Sequence, residues 1–130
     1  MPKTTLRPKN LEFQPRPAYP YSPGTKGGNI IFTAGQVAWD ARAEVVGPGD
    51  VRAQTVQTLN NVKSVLAEGG ASLDDVLKCN VYLKDIGDFQ AMNEVFASFF
   101  PNDPPARTTV QALLADPEML VEIEAIAFVE

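Results

Sequence analysis

Residues 104–127 open with Pro104-Pro105-Ala106-Arg107-Thr108-Thr109-Val110, turn near Asp116 and Pro117, and close with Val121-Glu122-Ile123-Glu124-Ala125-Ile126-Ala127. Successive side chains of a strand point to opposite faces, and both arms alternate in a way that suits this. Arg107, Thr109 and Gln111 share a face of the first arm. Glu122 and Glu124 share a face of the second, while Val121, Ile123, Ala125 and Ala127 line the other. The stretch from Leu114 to Glu118 is short enough to join the arms as an antiparallel hairpin. Such a hairpin would place one guanidinium and two carboxylates on a single sheet surface.

Upstream of this stretch the chain alternates strands and helices. Gly27-Gly28-Asn29 is a turn signal ahead of the β-rich run Ile30 to Thr33, which Gly35 interrupts. A glycine there marks either a bulge or a close approach to the backbone. Val51, Val56, Leu59, Val62, Val65 and Leu66 recur at helical spacing, with Asp50 placed to cap the start and Gly69 the end. Ser72 and Asp75 then start a short turn, and Leu77, Cys79, Val81 and Leu83 form an apolar row on the next strand. Asp88 stands as N-cap to a second helix with the stripe Phe89, Met92, Phe96, Phe99 and Phe100, stopped by Pro101. The stripe reads as core packing. The order is strand, strand, helix, strand, helix, strand, strand, which predicts an α+β layer with two helices on one face of a mixed sheet.

The 130 residues suit a single domain, 1–130, with residues 1–18 as an extended proline-rich arm that pairs at an edge, if anywhere, near Leu11 to Phe13. Residues 1–26 hold six of the eleven prolines and a net charge of +4, which leaves −9 for residues 27–130. An acidic body argues against nucleic acid as the main ligand. No apolar run approaches the ~20 residues of a membrane span. No apolar stretch follows Lys3, Arg7 and Lys9, so a cytoplasmic location is expected. The chain has no histidine and one cysteine, Cys79, set in an apolar row. That composition removes His-based nucleophile activation, intrachain disulfides and multi-thiolate metal sites, so no cofactor or metal is expected. Acid and base work falls to carboxylates, tyrosines, lysines, backbone groups or water.

The Pro-Ala-Arg of residues 105–107 and the Val-Glu-Ile-Glu-Ala of residues 121–125 together resemble the C-terminal signature of the RidA family, also called YjgF. The resemblance extends through Asn80 to Asp85, Asp88, Phe89, Met92, Asn93, Phe99 and Phe100, and back to Thr33-Ala34-Gly35-Gln36; it covers roughly residues 19–130. Many members carry cysteine where this chain has Thr109. The resemblance implies a chorismate-mutase-like fold and a homotrimer with ligand sites between subunits. It also implies hydrolysis of reactive enamines and imines, such as 2-aminoacrylate tautomers, to 2-keto acids and ammonia.

By matching position, Arg107 would clamp the carboxylate of a small substrate, and Glu122 would orient or deprotonate the attacking water. Tyr21, Gly35, Asn93 and Thr109 would line the pocket. From the residues alone other readings stand beside these: Arg107 as a structural ion pair with Glu122 or Glu124, Tyr21 as a surface anchor, and Gly35 as a bulge. Two other functions also stay open. One is a related deaminase acting on an aminomuconate- or aminoacrylate-type acid, with Phe32, Trp39 and Thr109 shaping a larger pocket. The other is a non-catalytic or ribonuclease-like binding module.

Overall fold

The structure, a computed structural model, describes residues 2–11 and 19–130. Its strands are β1 (Thr4–Leu6), β2 (Gly24–Gly27), β3 (Ile30–Thr33), β4 (Val76–Leu83), β5 (Ala106–Gln111) and β6 (Val121–Phe128). Helix α1 (Val51–Glu68) lies between β3 and β4, and α2 (Phe89–Phe99) between β4 and β5. The strands form one mixed sheet in the order β1-β2-β3-β6-β4-β5, giving the expected α+β architecture.

Arms β5 and β6 are not a hairpin. Strand β4 lies between them, antiparallel to β6 and parallel to β5. A strand followed by a covering helix returns parallel to itself, so the β4-α2-β5 unit commits β5 to that edge. Strand β6 then crosses to pair with β3 and β4 on its two sides. Its apolar alternation is as read: Val121, Ile123, Ala125 and Ala127 are buried, while Glu122 and Glu124 face the other way.

Helix α1 begins and ends where its caps require. The Asp50 carboxylate accepts from the Ala53 amide at 3.0 Å, and after the C-cap Gly69 the chain turns through Gly70 at φ +83°, which a side chain would resist. Four polar residues, Gln54, Thr55, Thr58 and Asn61, share its buried face. Val56, at the margin of the apolar stripe, is exposed. Gln54 donates to Gly47 O and Glu118 O and accepts from the Leu120 amide; Asn61 donates to Val37 O and Trp39 O. Two loops, around residues 37–39 and 118–120, are thereby tied to one helix.

Elsewhere three local readings shift. A bulge between Val76 and Lys78 turns Leu77 out to solvent, and Val76 takes its place inside. Asp88 precedes α2 but makes no capping bond; Asp85, one turn earlier, accepts from the Gly87 amide at 2.8 Å. The edge pairing of the leading arm is made by Thr4–Leu6 against β2, and the stretch proposed for it runs into residues 12–18, outside the described residues. Leu6 and Leu11 are buried in the core under α1 and the sheet.

Candidate active site

Strand β5 presents Arg107 to α2. Its register partner on β4 is the buried Cys79, so the arginine rises from the helix-covered face. The half-buried guanidinium donates from Nη2 to Asn93 Oδ1 at 2.6 Å, with Met92 Sδ at 3.8 Å from Nη1. Its carbon lies 4.8 Å from the Phe96 ring centre and 5.6 Å from that of Phe89, within reach of cation–π attraction. Burial lowers its pKa, although an arginine stays charged throughout the accessible range. Among the described residues no carboxylate forms a salt bridge with it. A shallow cleft bounded by Asn93, Phe96, Phe100, Pro104 and Pro105 opens onto the guanidinium. Thr109 follows two places along the same face. Cys79, beside Arg107, is inert as a nucleophile, because burial pushes its thiol up to about 12.

Glu122 occupies the opposite face. Its strand neighbours there are Tyr82 on β4 and, past the end of β3, Gly35. Backbone pairing between β3 and β6 stops at Phe32–Ile126 and resumes at Gln36–Ile123, so three residues on one side stand against two on the other. Thr33 Oγ1 fills part of the gap by accepting the Ala125 amide at 3.0 Å. Within this bulge Gly35 meets the Glu122 side chain so closely that a Cβ would collide with the carboxylate. Both readings of the glycine therefore hold: it marks a bulge and permits a close approach. Burial, with a smaller contribution from Glu124, raises the Glu122 pKa. Glu124 itself accepts from the Tyr82 hydroxyl at 2.7 Å. Glu122 and Gly35 line a cleft of about 440 Å³ together with Tyr21, Trp39, Asp116 and Met119. Burial, Tyr19 and Glu122 together raise the Tyr21 pKa, so its hydroxyl stays protonated at neutral pH.

The six residues read from the sequence thus fall into two groups. Arg107, Asn93 and Thr109 belong to the helix side of the sheet; Glu122, Gly35 and Tyr21 belong to the open side. One surface carrying Arg107 with both glutamates does not exist, because β4 separates the arms and sets their alternation out of phase. The structural ion pair of Arg107 with Glu122 or Glu124 is excluded by the same register.

A family model described as endoribonuclease L-PSP matches residues 12–129. The chain belongs to this family, that of YjgF and RidA. A RutC family protein of Pyrococcus horikoshii is 45% identical over 92% of this chain and 94% of its own length. The 3-aminoacrylate deaminase RutC of Acinetobacter baylyi is 40% identical over 99% of this chain and 100% of its own length. Among solved structures, the YjgF gene product of E. coli superposes with a TM-score of 0.86 at 34% identity, over 98% of this chain and 99% of that one.

Within the YjgF/RidA fold, the cleft of Glu122 holds Trp39, which the sequence offered for a larger pocket, together with Tyr19 and Asp116, to which it gave no site role; Phe32 and Thr109, offered with Trp39, do not line it. Tyr19 lies against Tyr21 and Trp39, and Asp116 shares the cleft of Glu122. The signal for the aromatic group was present as Tyr-x-Tyr among prolines. The loop that brings Trp39 beside it is held by Asn61, an unmarked polar position on α1.

Proposed function

We propose that the chain is an enamine/imine deaminase that hydrolyses 2-imino acids and their 2-amino-2-enoic tautomers to 2-keto acids and ammonia. The observation that carries this reading is the half-buried Arg107 guanidinium. It is held by Asn93 and two phenyl rings, it lacks a carboxylate partner among the described residues, and it opens onto a cleft. A planar fork of donors so placed is suited to a carboxylate ligand held bidentately.

Glu122 supplies the second function. A carboxylate whose pKa is raised by burial is a better base near neutrality. It removes a proton from water as the oxygen attacks C2 of the imine, and the imine nitrogen takes a proton from solvent. The resulting carbinolamine then collapses: its hydroxyl proton returns to solvent, the C–N bond breaks, and the proton held by Glu122 leaves with ammonia. An imine carbon is already electrophilic, so holding the acid and placing the water meets most of the demand.

Arg107 and Glu122 on one copy point away from each other, and we infer that a site is assembled from Arg107 of one subunit and Glu122 of the next in a homotrimer. Apolar side chains on the open sheet face, Phe32, Val110 and Phe128, support such an assembly. We place the protein in the cytoplasm as part of the same reading.

A second substrate is favoured by one observation, the 40% identity to a 3-aminoacrylate deaminase; the same clamp and base would serve attack at C3 of that acid. A ribonuclease-like role finds less support in a body of net charge −9 over residues 27–130. The test is to supply 2-aminoacrylate, 2-iminobutanoate or 3-aminoacrylate and follow the decay of each above its spontaneous rate. Acceleration of none would overturn the reading.

A further inference from the structure

Resting on the imine-deaminase reading, we propose that Tyr19, Tyr21 and Trp39 form the side-chain wall of the site and select 2-imino acids bearing an aromatic side chain over the three-carbon imine. The three rings line the same cleft as Gly35 and Glu122. Tyr19 stacks on Tyr21 with centroids 5.7 Å apart at 16°, and on Trp39 with centroids 6.1 Å apart at 24°. Both spacings fall within the ~4.5–7 Å range of favourable aromatic pairs.

Several fixings make the wall a built feature. The Trp39 carbonyl accepts from Gln57 Nε2 at 3.0 Å and from Asn61 Nδ2 at 2.9 Å, and its backbone forms a bridge with Val45. The Tyr21 amide donates to Tyr19 O at 2.9 Å. These bonds fix the backbone that carries the rings, which reduces the ordering that a ligand must bring about. Tyr19 is 41% and Tyr21 50% exposed, so core packing does not account for the group.

Volume points the same way. The cleft of about 440 Å³ lies within the ~300–1,000 Å³ of pockets that hold drug-sized ligands. A three-carbon imino acid displaces only a few waters of about 30 Å³ each, far less than the cleft on a single subunit offers. Val37, Ala115 and Met119 add an apolar lining, and the Asp116 carboxylate accepts the Glu118 amide at 2.8 Å. A planar apolar side chain matches the rings and this lining; a cationic one would be matched by the carboxylates, and the lysine-derived imine in the test separates the two. The chemistry is unchanged: one water is consumed, the C=N bond becomes C=O, and ammonia leaves.

The test compares imines made in place by an amino-acid oxidase, with catalase present, from phenylalanine, alanine and lysine. Their decay above the spontaneous rate is followed with wild type, Trp39→Ala, Trp39→Phe and Tyr19→Ala. Wild type is expected to favour the phenylalanine-derived imine over the alanine-derived one by at least ~10-fold in kcat/KM, the scale of discrimination an apolar pocket provides. That ratio should fall about 10-fold in Trp39→Ala and in Tyr19→Ala, and persist in Trp39→Phe, which keeps a ring. Tyr19→Ala, at the more exposed ring, carries the expectation should Trp39→Ala fail to fold. A wild-type preference for the alanine- or lysine-derived imine, or a ratio that all three variants leave unchanged, overturns the aromatic wall while the deaminase reading stands. Acceleration of no imine by wild type overturns both.

Discussion

Arg107 and Glu122 project from opposite faces of one sheet, with β4 between their strands. Each sits where one half of a hydrolytic site would be expected. The guanidinium rests on Asn93, Phe89 and Phe96, and the carboxylate rests against Gly35. Neither half leans on the other for its position, so substitutions can separate the proposed anion clamp from the proposed base.

Arg107→Lys should damage turnover nearly as much as Arg107→Ala. Lysine keeps the charge but loses the two-pronged donor set, so the acid is attracted yet poorly oriented, and misplacement by about 1 Å can cost on the order of 100-fold. Stability should change little, because no carboxylate is left unpaired and the cation–π contribution at a partly exposed site is about 1 kcal/mol. Imine-decay kinetics and melting curves for both variants check this. Near wild-type turnover in Arg107→Lys would remove the clamp.

Gly35→Ala should lower activity by at least about 10-fold while Arg107 and its surroundings stay as they are. The added methyl occupies the position of the Glu122 carboxylate, which must swing aside, and displacing a catalytic group by a fraction of an ångström has costs of this order. The loss should appear chiefly in kcat, since the acid is held elsewhere. A variant with raised KM and unchanged kcat would show that Glu122 binds and does not act on water.

What is legible in the sequence is what depends on neighbours along the chain. The Asp50 cap, the helix from Val51 to Glu68 and the two faces of β6 all follow from residues a few positions apart. Strand pairing does not. The pattern around Arg107 says strand but cannot say which neighbour, and only the need to return parallel after α2 moves β5 away from β6. The bulge that turns Leu77 outward leaves the apolar row looking intact in sequence. The wall brings Tyr19 and Trp39 together from two separate loops, the second held by a helix asparagine, and no spacing rule reports that.

Glu122 should also mark the pH profile. Its folded pKa is raised by burial above the ordinary value of 4.5, so the folded state holds this proton more tightly than the unfolded chain does. The stabilising contribution is fully present below the unfolded pKa and is lost as pH rises through the folded one. Glu122→Gln should therefore flatten the decline of melting temperature above about pH 4.5. In wild type, kcat/KM should rise as Glu122 deprotonates, at a pH above the ordinary carboxylate range. An activity profile that has already reached its plateau at pH 4.5 would show another group acting as base.

The last expectation concerns assembly. The chain should sediment at about 42 kDa, three times its 14.1 kDa, if the open sheet face closes a symmetric ring. Mass alone does not place the site, but mixing inactive variants does. An Arg107→Ala copy retains Glu122, and a Glu122→Gln copy retains Arg107. If each site takes Arg107 from one subunit and Glu122 from the next, co-expressing equal amounts regenerates intact sites. A given interface needs the Glu122→Gln copy on the arginine side and the Arg107→Ala copy on the other, so random assembly yields about a quarter of the wild-type sites. The mixture should recover about that fraction of kcat with wild-type KM, whereas separately purified variants that do not exchange subunits should recover none. Co-expressed trimers as inactive as either parent would mean that both residues must reside on one chain, which the register of β5 and β6 forbids for a single small ligand, and the assignment of one of them would fall.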